Sequence, residues 1–215
     1  MTAWKHEGVS RLGLRIFRFI LKPIFQWDIF YVFQRDLNNT PAEGDLPAAF
    51  EIRIYLGNQD LEETRKLLSP YCPNFDDRAR RGEAVVLCRS TSGLSDGEIA
   101  GYTWIAFSDT WAEELQLTII LRPGEMVHYD SYVHPRYRGQ GLHTSLVIAA
   151  KHFALRRGCC KSLSWISALN LQSLKTAQRL AVAPEQPLTV LSIKTIGMRG
   201  RWNSALRGSL VARCR

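Results

Sequence analysis

The sequence lacks the patterns that go with disulfide or metal chemistry. Its five cysteines (Cys72, Cys88, Cys159, Cys160 and Cys214) are odd in number and include no C-x-x-C pair. Adjacent Cys159 and Cys160 have poor geometry for an ordinary disulfide. Neither a disulfide framework nor a zinc site is expected, and a reducing cytoplasm fits best. The five histidines (His6, His128, His134, His143 and His152) show no H-E-x-x-H spacing, so no metal is expected. The most apolar N-terminal stretch, 16–33, is interrupted by Arg18, Lys22, Pro23 and Asp28. Charges at mid-depth in a bilayer are costly, so it is rejected as a transmembrane span, and no signal peptide is expected. No internal repeat or low-complexity tract occurs.

Acid is the scarcer charge: 20 Asp and Glu stand against 28 Lys and Arg, for a net charge of +8. Such a balance favours acidic partners: a phosphorylated cofactor, an anionic membrane, nucleic acid or an acidic carrier protein. A positive surface that only aids solubility has the same composition. Trp4, Trp27 and Trp202 are not interleaved with basic residues in a binding motif, so no specific nucleic-acid contact is expected. With 46% hydrophobic and 22% charged residues the chain is globular. Its 215 residues suffice for one large domain, or one domain with an extension.

Residues 1–47 read as a basic, amphipathic helical extension followed by a linker. Arg11, Arg15, Arg18 and Lys22 recur at spacings of four, three and four, along one face of a helix, until Pro23 ends or kinks it. Two readings stand. The helix packs on its own domain with a solvated basic edge, or residues 9–34 make peripheral contact with the anionic inner face of the membrane. The Pro, Gly and Asn content of 38–47 marks a linker.

Residues 48–215 read as the main domain, of mixed α/β class. Phe50, Ile52, Ile54 and Leu56 alternate and predict a strand over 50–57. Early acids, then Arg65 and Lys66, predict a helix over 58–71. Strands are predicted at 83–90 and 98–108, paired across a turn-rich 91–97, and again at 116–121 and 125–135. From Gly141 the residues Leu142, Leu146, Ala149, Ala150, Phe153 and Ala154 keep helical spacing, and Gly158 can stop the helix. A strand at 161–167, a helix at 170–181 capped by Asn170 and a strand at 188–196 follow. The basic tail 198–215 carries no clear pattern.

Between the strand at 125–135 and the helix lies R-Y-R-G-Q-G, Arg136 to Gly141. Gly139 and Gly141 permit conformations barred to other residues, so successive amides can point into one concavity at the positive end of a helix. That is a cradle for phosphate, and Arg136 and Arg138 add attraction. The loop is neither a Walker A nor a dinucleotide fingerprint. On the preceding strand His128, Asp130, Tyr132 and His134 alternate onto one face and make a candidate site.

The string Val133-x-Pro135-x-x-Arg138-Gly139-x-Gly141 resembles the acyl-CoA pyrophosphate loop of the GNAT N-acetyltransferase superfamily. Its R/Q-x-x-G-x-G/A signature is met by Arg136, Gly139 and Gly141, and Asn170 with Ser173 resembles the N-x-x-S/A that helps hold the pantetheine and phosphate arm. The resemblance covers roughly residues 50–196 by element order. It implies a mixed, mostly antiparallel central sheet with flanking helices. It also implies acetyl-CoA or another acyl-CoA as co-substrate, with amides at Arg138, Gly139, Gln140, Gly141 and Leu142 on the pyrophosphate. The backbone around Tyr132 and Val133 would hold the pantetheine arm, and a small-molecule primary amine would attack the thioester. Asp130 would serve as base or amine anchor, with His128 as a second candidate. The tyrosine that many members place seven residues after the helix-opening Asn is Ala177 here, which leaves Tyr132 as a candidate acid. Two other functions stay open: an N-acyl amino acid synthase drawing long chains from an acidic acyl carrier protein, and a non-catalytic acyl-CoA-binding regulator.

Overall fold

A computed structural model of the chain describes residues 25–44, 46–56, 61–92, 97–115, 117–179, 188–195 and 202–205. In chain order these form β1 (Phe25–Asp36), β2 (Phe50–Leu56), α1 (Leu61–Leu68), α2 (Phe75–Arg80), β3 (Ala84–Ser90), β4 (Ile99–Ala106), β5 (Thr110–Ala112), β6 (Leu117–Ile119), β7 (Glu125–Val133), α3 (Leu142–Arg156), β8 (Lys161–Ser167), α4 (Leu171–Arg179), β9 (Leu188–Thr195) and β10 (Trp202–Ala205). Eight strands make one sheet, ordered β10-β9-β1-β8-β7-β4-β3-β2, while β5 and β6 form a separate hairpin. Every pair in the sheet is antiparallel except β7 with β8. The mixed, mostly antiparallel α/β architecture expected from the sequence is the one observed.

The central strands β3 and β4 are buried on both faces, which is why they read as near-continuous apolar runs rather than alternations. Leu87, Tyr102, Trp104, Val127 and Tyr129 pack on one face with Leu68 of α1 and Phe75 of α2. Val86, Ile105 and Met126 pack on the other against Leu142, Leu146, Ala150 and Ala154 of α3. Those four α3 residues recur every four positions and form one stripe. Each fully buried leucine there stabilises the fold by about 1.5–3 kcal/mol. The helix ends at Gly158, whose φ of 80° suits glycine. Cys159 N–H bonds back to Ala154 O at 3.0 Å, closing the terminal turn.

The helical reading of 1–47 does not hold for residues 25–36. They form β1, which runs antiparallel between β8 and β9. Phe30 and Val32 are buried against Ala112, Leu115 and Ile119 of the hairpin region. The aromatic and β-branched content of FQWDIFYVFQRD suits a strand, and Pro23 separates it from the basic stripe. The stripe itself lies outside the described residues, as does the remainder of the 9–34 membrane contact. Among the described residues no helix is long and apolar enough to cross a membrane. The helix predicted over 58–71 is realised as α1, and the following α2 was not anticipated, being only six residues long. Strands β5 and β10, three and four residues long, are too short to carry a period.

Candidate active site

The glycine loop joins β7 to α3 through one 3-10 turn at Pro135–Tyr137. Gly139 and Gly141 have φ of 84° and 79°, the left-handed region that disfavours any residue with a Cβ. No atom would meet a Cβ at either position, so conformation rather than crowding demands glycine. The amides of Arg136 and Arg138 are occupied, by His134 Nδ1 at 3.3 Å and Pro135 O at 3.3 Å. Arg138 N–H thus leaves the expected set of pyrophosphate donors, because the 3-10 turn uses it. The amides of Gly139, Gln140, Gly141 and Leu142 have no acceptor among the described residues, and they open the first turn of α3. The helix dipole adds positive potential there. Both arginines fold back on the loop: Arg138 Nε donates to Val133 O at 3.1 Å, and Arg136 lies 3.9 Å from Glu98. Tyr137 steadies the same glutamate with a 2.5 Å hydrogen bond.

Beside the loop the sheet opens. The parallel pairing of β7 with β8 comprises only Glu125–Lys161, Met126–Ser162 and Val127–Leu163. Beyond it the two strands continue, to Val133 and Ser167, without further pairing. The result is a V, closed at Val127 and Leu163, with the glycine loop at its mouth.

A bulge in β7 decides which side chains face which way. Trp104 pairs with Tyr129 and Tyr102 with Tyr132, so β7 carries one residue more than β4 between the two pairs. Asp130 takes up the irregularity with a φ of 48°. The expected alternation therefore fails. Asp130 and Tyr132 lie on the α2 side with Tyr129, whereas His128, opposite Ile105, lies on the α3 side. Buried Thr103 ties the bulge down by a 2.7 Å hydrogen bond to Ser131. Gly101 lets the strands approach: a Cβ there would stand 2.7 Å from Tyr132 O.

On the α2 side, Arg78 is the centre. Its guanidinium lies 5.0 Å from the Trp104 ring and 4.9 Å from that of Tyr129, and its Nη1 is 2.6 Å from Asp130 Oδ2. Tyr129 donates in turn to buried Glu83, which also accepts from Thr110 Oγ1 at 2.8 Å and Arg81 Nε at 2.7 Å. Burial, then the Glu83 charge, pushes the Tyr129 phenol up. Tyr132 stacks between Tyr102 and Tyr71 at 5.6 Å from each. Arg78 and Glu83 escaped the sequence reading, since neither stands in a motif. Glu83 opens the strand predicted over 83–90 and Arg78 precedes it by five residues, and neither position carries a further signal.

On the α3 side lie His128, His143, Lys151 and Arg35. Burial, then Lys151, His143 and Arg35, holds His128 well below its ordinary range. Arg35 Nη2 donates to Ala177 O at 2.6 Å. The position where a tyrosine was noted as missing is therefore bonded by an arginine from β1. Asn170 caps α4 through Oδ1, accepting from Ser173 N at 3.1 Å.

The sequence profile of the acetyltransferase (GNAT) family matches residues 54–181, more than half of the chain. No curated protein matches. Among solved structures, a Drosophila protein is 15% identical, with a TM-score of 0.55, over 87% of this chain and 58% of its own. A tandem GNAT protein from the clavulanic acid biosynthesis pathway, solved without AcCoA, is 17% identical with a TM-score of 0.54, over 87% and 60%. A GCN5-related N-acetyltransferase from Sphaerobacter thermophilus is 14% identical with a TM-score of 0.53, over 85% and 56%. The chain thus spans less than two thirds of the length of these three, and at such identities they speak for the fold. The profile match, the open V and the glycine loop at its mouth agree: the chain belongs to the acetyltransferase (GNAT) family.

Proposed function

We propose that the protein is an N-acyltransferase that moves an acyl group from coenzyme A to a small-molecule primary amine. The supporting observation is the set of four adjacent amides, Gly139 to Leu142, left without acceptors at the mouth of the V. A diphosphate suits them: oxygen acceptors meet oriented N–H groups and a helix N-terminus, with no acidic side chain in the loop. Val133 lines the V where the pantetheine arm would run, with Asn170 and Ser173 at the start of α4 on its other side. Coenzyme A supplies an activated thioester when bound.

The incoming ammonium first gives up one proton to solvent; the amine nitrogen then forms the C–N bond as the C–S bond breaks, losing a second proton while the thiolate gains one. On the acceptor side this chain offers Asp130, Tyr132 and Tyr71. Asp130 is 41% exposed, and while Oδ2 faces Arg78 its carboxylate can still hold an incoming ammonium. We assign it as amine anchor. The tyrosine stack would wall the acceptor on one side. His128, on the other face, takes no part in deprotonating the amine.

Calorimetric titration of coenzyme A into the full chain tests the reading. Micromolar binding is expected, reduced at least about 100-fold by Gly139→Asp, which sets a carboxylate among the amides and strains the backbone. Wild-type protein that ignores coenzyme A, or a Gly139→Asp protein that binds it equally well, overturns the reading.

A further inference from the structure

Beneath α3, two buried polar atoms have no hydrogen-bond partner among the described residues, and a buried lysine side chain lies near them. Lys151 is 3% exposed and makes no ion pair or hydrogen bond among the described residues. Ser162 is 1% exposed, and among the described residues its Oγ has no hydrogen-bond partner; neither has the buried Nδ1 of His128. These groups lie on one face of the sheet, under α3. Ser162 is the register partner of Met126, whose side chain faces α3, and His128 is the first residue of β7 past the last rung. Lys151 and His143 lie along one side of α3, and both are electrostatic neighbours of His128. Arg35 stands opposite Ser162 across the β1–β8 pair and adds to the positive potential. No acidic side chain of the described residues contributes to the surroundings of His128 or Lys151.

Such a site is costly by itself. Buried donors without acceptors, and a buried cation without a counter-charge, destabilise a fold. Burial, then Arg35, brings Lys151 down to about 8. An anion would relieve all of this. The site lies at the closed end of the V, and that location identifies the anion's source. A donor held by its diphosphate at Gly139 to Leu142 and laid between β7 and β8 points its acyl end away from the loop. From Val133 to His128 is a run of about 17 Å down the strand.

We propose that the Lys151, His128 and Ser162 site receives a carboxylate at the far end of the donor's acyl chain. The preferred donor is then a dicarboxylic acyl-CoA rather than an uncharged one. The proposal rests on the function assigned above. A carboxylate has two oxygens and about four acceptor positions, enough for the ammonium, the hydroxyl and the imidazole together. An alkyl chain end would leave the same three groups desolvated and unpaired, which disfavours a long-chain donor at this place.

The experiment compares succinyl-CoA, isosteric butyryl-CoA and free coenzyme A by calorimetry on the full chain. Succinyl-CoA is expected to bind about tenfold or more tighter than butyryl-CoA, the equivalent of one hydrogen-bonded charge. Lys151→Met, which matches the stem in volume and removes the charge, is expected to close that gap while free coenzyme A binds as before. Equal affinity of the two thioesters for wild-type protein overturns the proposal without need of any variant. So does a Lys151→Met loss shared by free coenzyme A and both thioesters, which would point to the sulfur instead. Failure of free coenzyme A to bind removes the acyltransferase reading itself, and this inference with it; binding without a succinyl preference removes the inference alone.

Discussion

Two buried cations lie on opposite faces of β7, and they are treated differently. Arg78, on the α2 face, has a counter-charge: two aromatic rings flank it and Asp130 stands at its end. Lys151, on the α3 face, is about as deeply buried and has no counter-charge among the described residues. A cation that is fully paired inside the protein holds structure together. One left unpaired keeps its affinity for something outside. The α2 face is therefore a paired scaffold that places Asp130, whereas on the α3 face the proposed donor carboxylate would supply the counter-charge that Lys151 lacks among the described residues.

That contrast can be broken by substitution. Removing Arg78 should cost most. Arg78→Ala leaves Asp130 without its partner and empties the slot between Trp104 and Tyr129, so a loss of about 3–5 kcal/mol in denaturant unfolding is expected. Lys151→Met should do the reverse and raise stability, since it removes an uncompensated buried charge. A Lys151→Met protein as damaged as Arg78→Ala would show the two cations to be alike.

Next in size is Gly101→Ala. Its Cβ would lie 2.7 Å from Tyr132 O and 3.1 Å from Leu146 Cδ1. A loss of about 1–3 kcal/mol is expected, with weaker coenzyme A binding as β7 is displaced. Unchanged melting and unchanged binding would show that the bulge tolerates a shift.

The smallest effect concerns pH. His128 is held below 6.5 in the fold, so the unfolded chain binds the extra proton. Its contribution to stability is complete above pH 6.5 and is lost as pH falls from there toward the depressed value. His143 is depressed by burial and acts in the same direction. Lys151 behaves alike at higher pH: its contribution is complete above 10.5 and declines as pH falls toward about 8. Each histidine adds at most about 1.4 kcal/mol per pH unit. Thermal melts between pH 7.5 and 5 should show a shallower acid slope for His128→Asn than for wild type. Parallel slopes would place His128 in water.

Much of the donor side was legible because it is local. Positive φ at Gly139 and Gly141, the start of α3 and the cap by Asn170 are matters of neighbouring residues, and composition shows them. The acceptor side was not. Alternation placed His128 with Asp130 and Tyr132, but the bulge near Asp130 turned His128 to the opposite face. A bulge depends on how β7 meets β4, and a period read along one strand cannot register it. Arg78 and Glu83 meet β7 from elements more than forty residues upstream, without any motif of their own. For β1 the basic stripe before Pro23 suggested a helix, and its reading was carried too far. The aromatic and β-branched run from Trp27 to Phe33 was the available signal of a strand.

The sequence by itself determined the chemistry of the loop, because a glycine's freedom and a helix's first turn are settled within a few residues. It also determined the mixed class, since burial on one or both faces of a strand leaves its own pattern. Only the tertiary structure decided where the sheet opens, which face of β7 carries the carboxylate, and which buried cation has no counter-charge among the described residues. Those outcomes depend on pairings between distant segments, and electrostatic balance in a protein interior is a property of the neighbours brought together there.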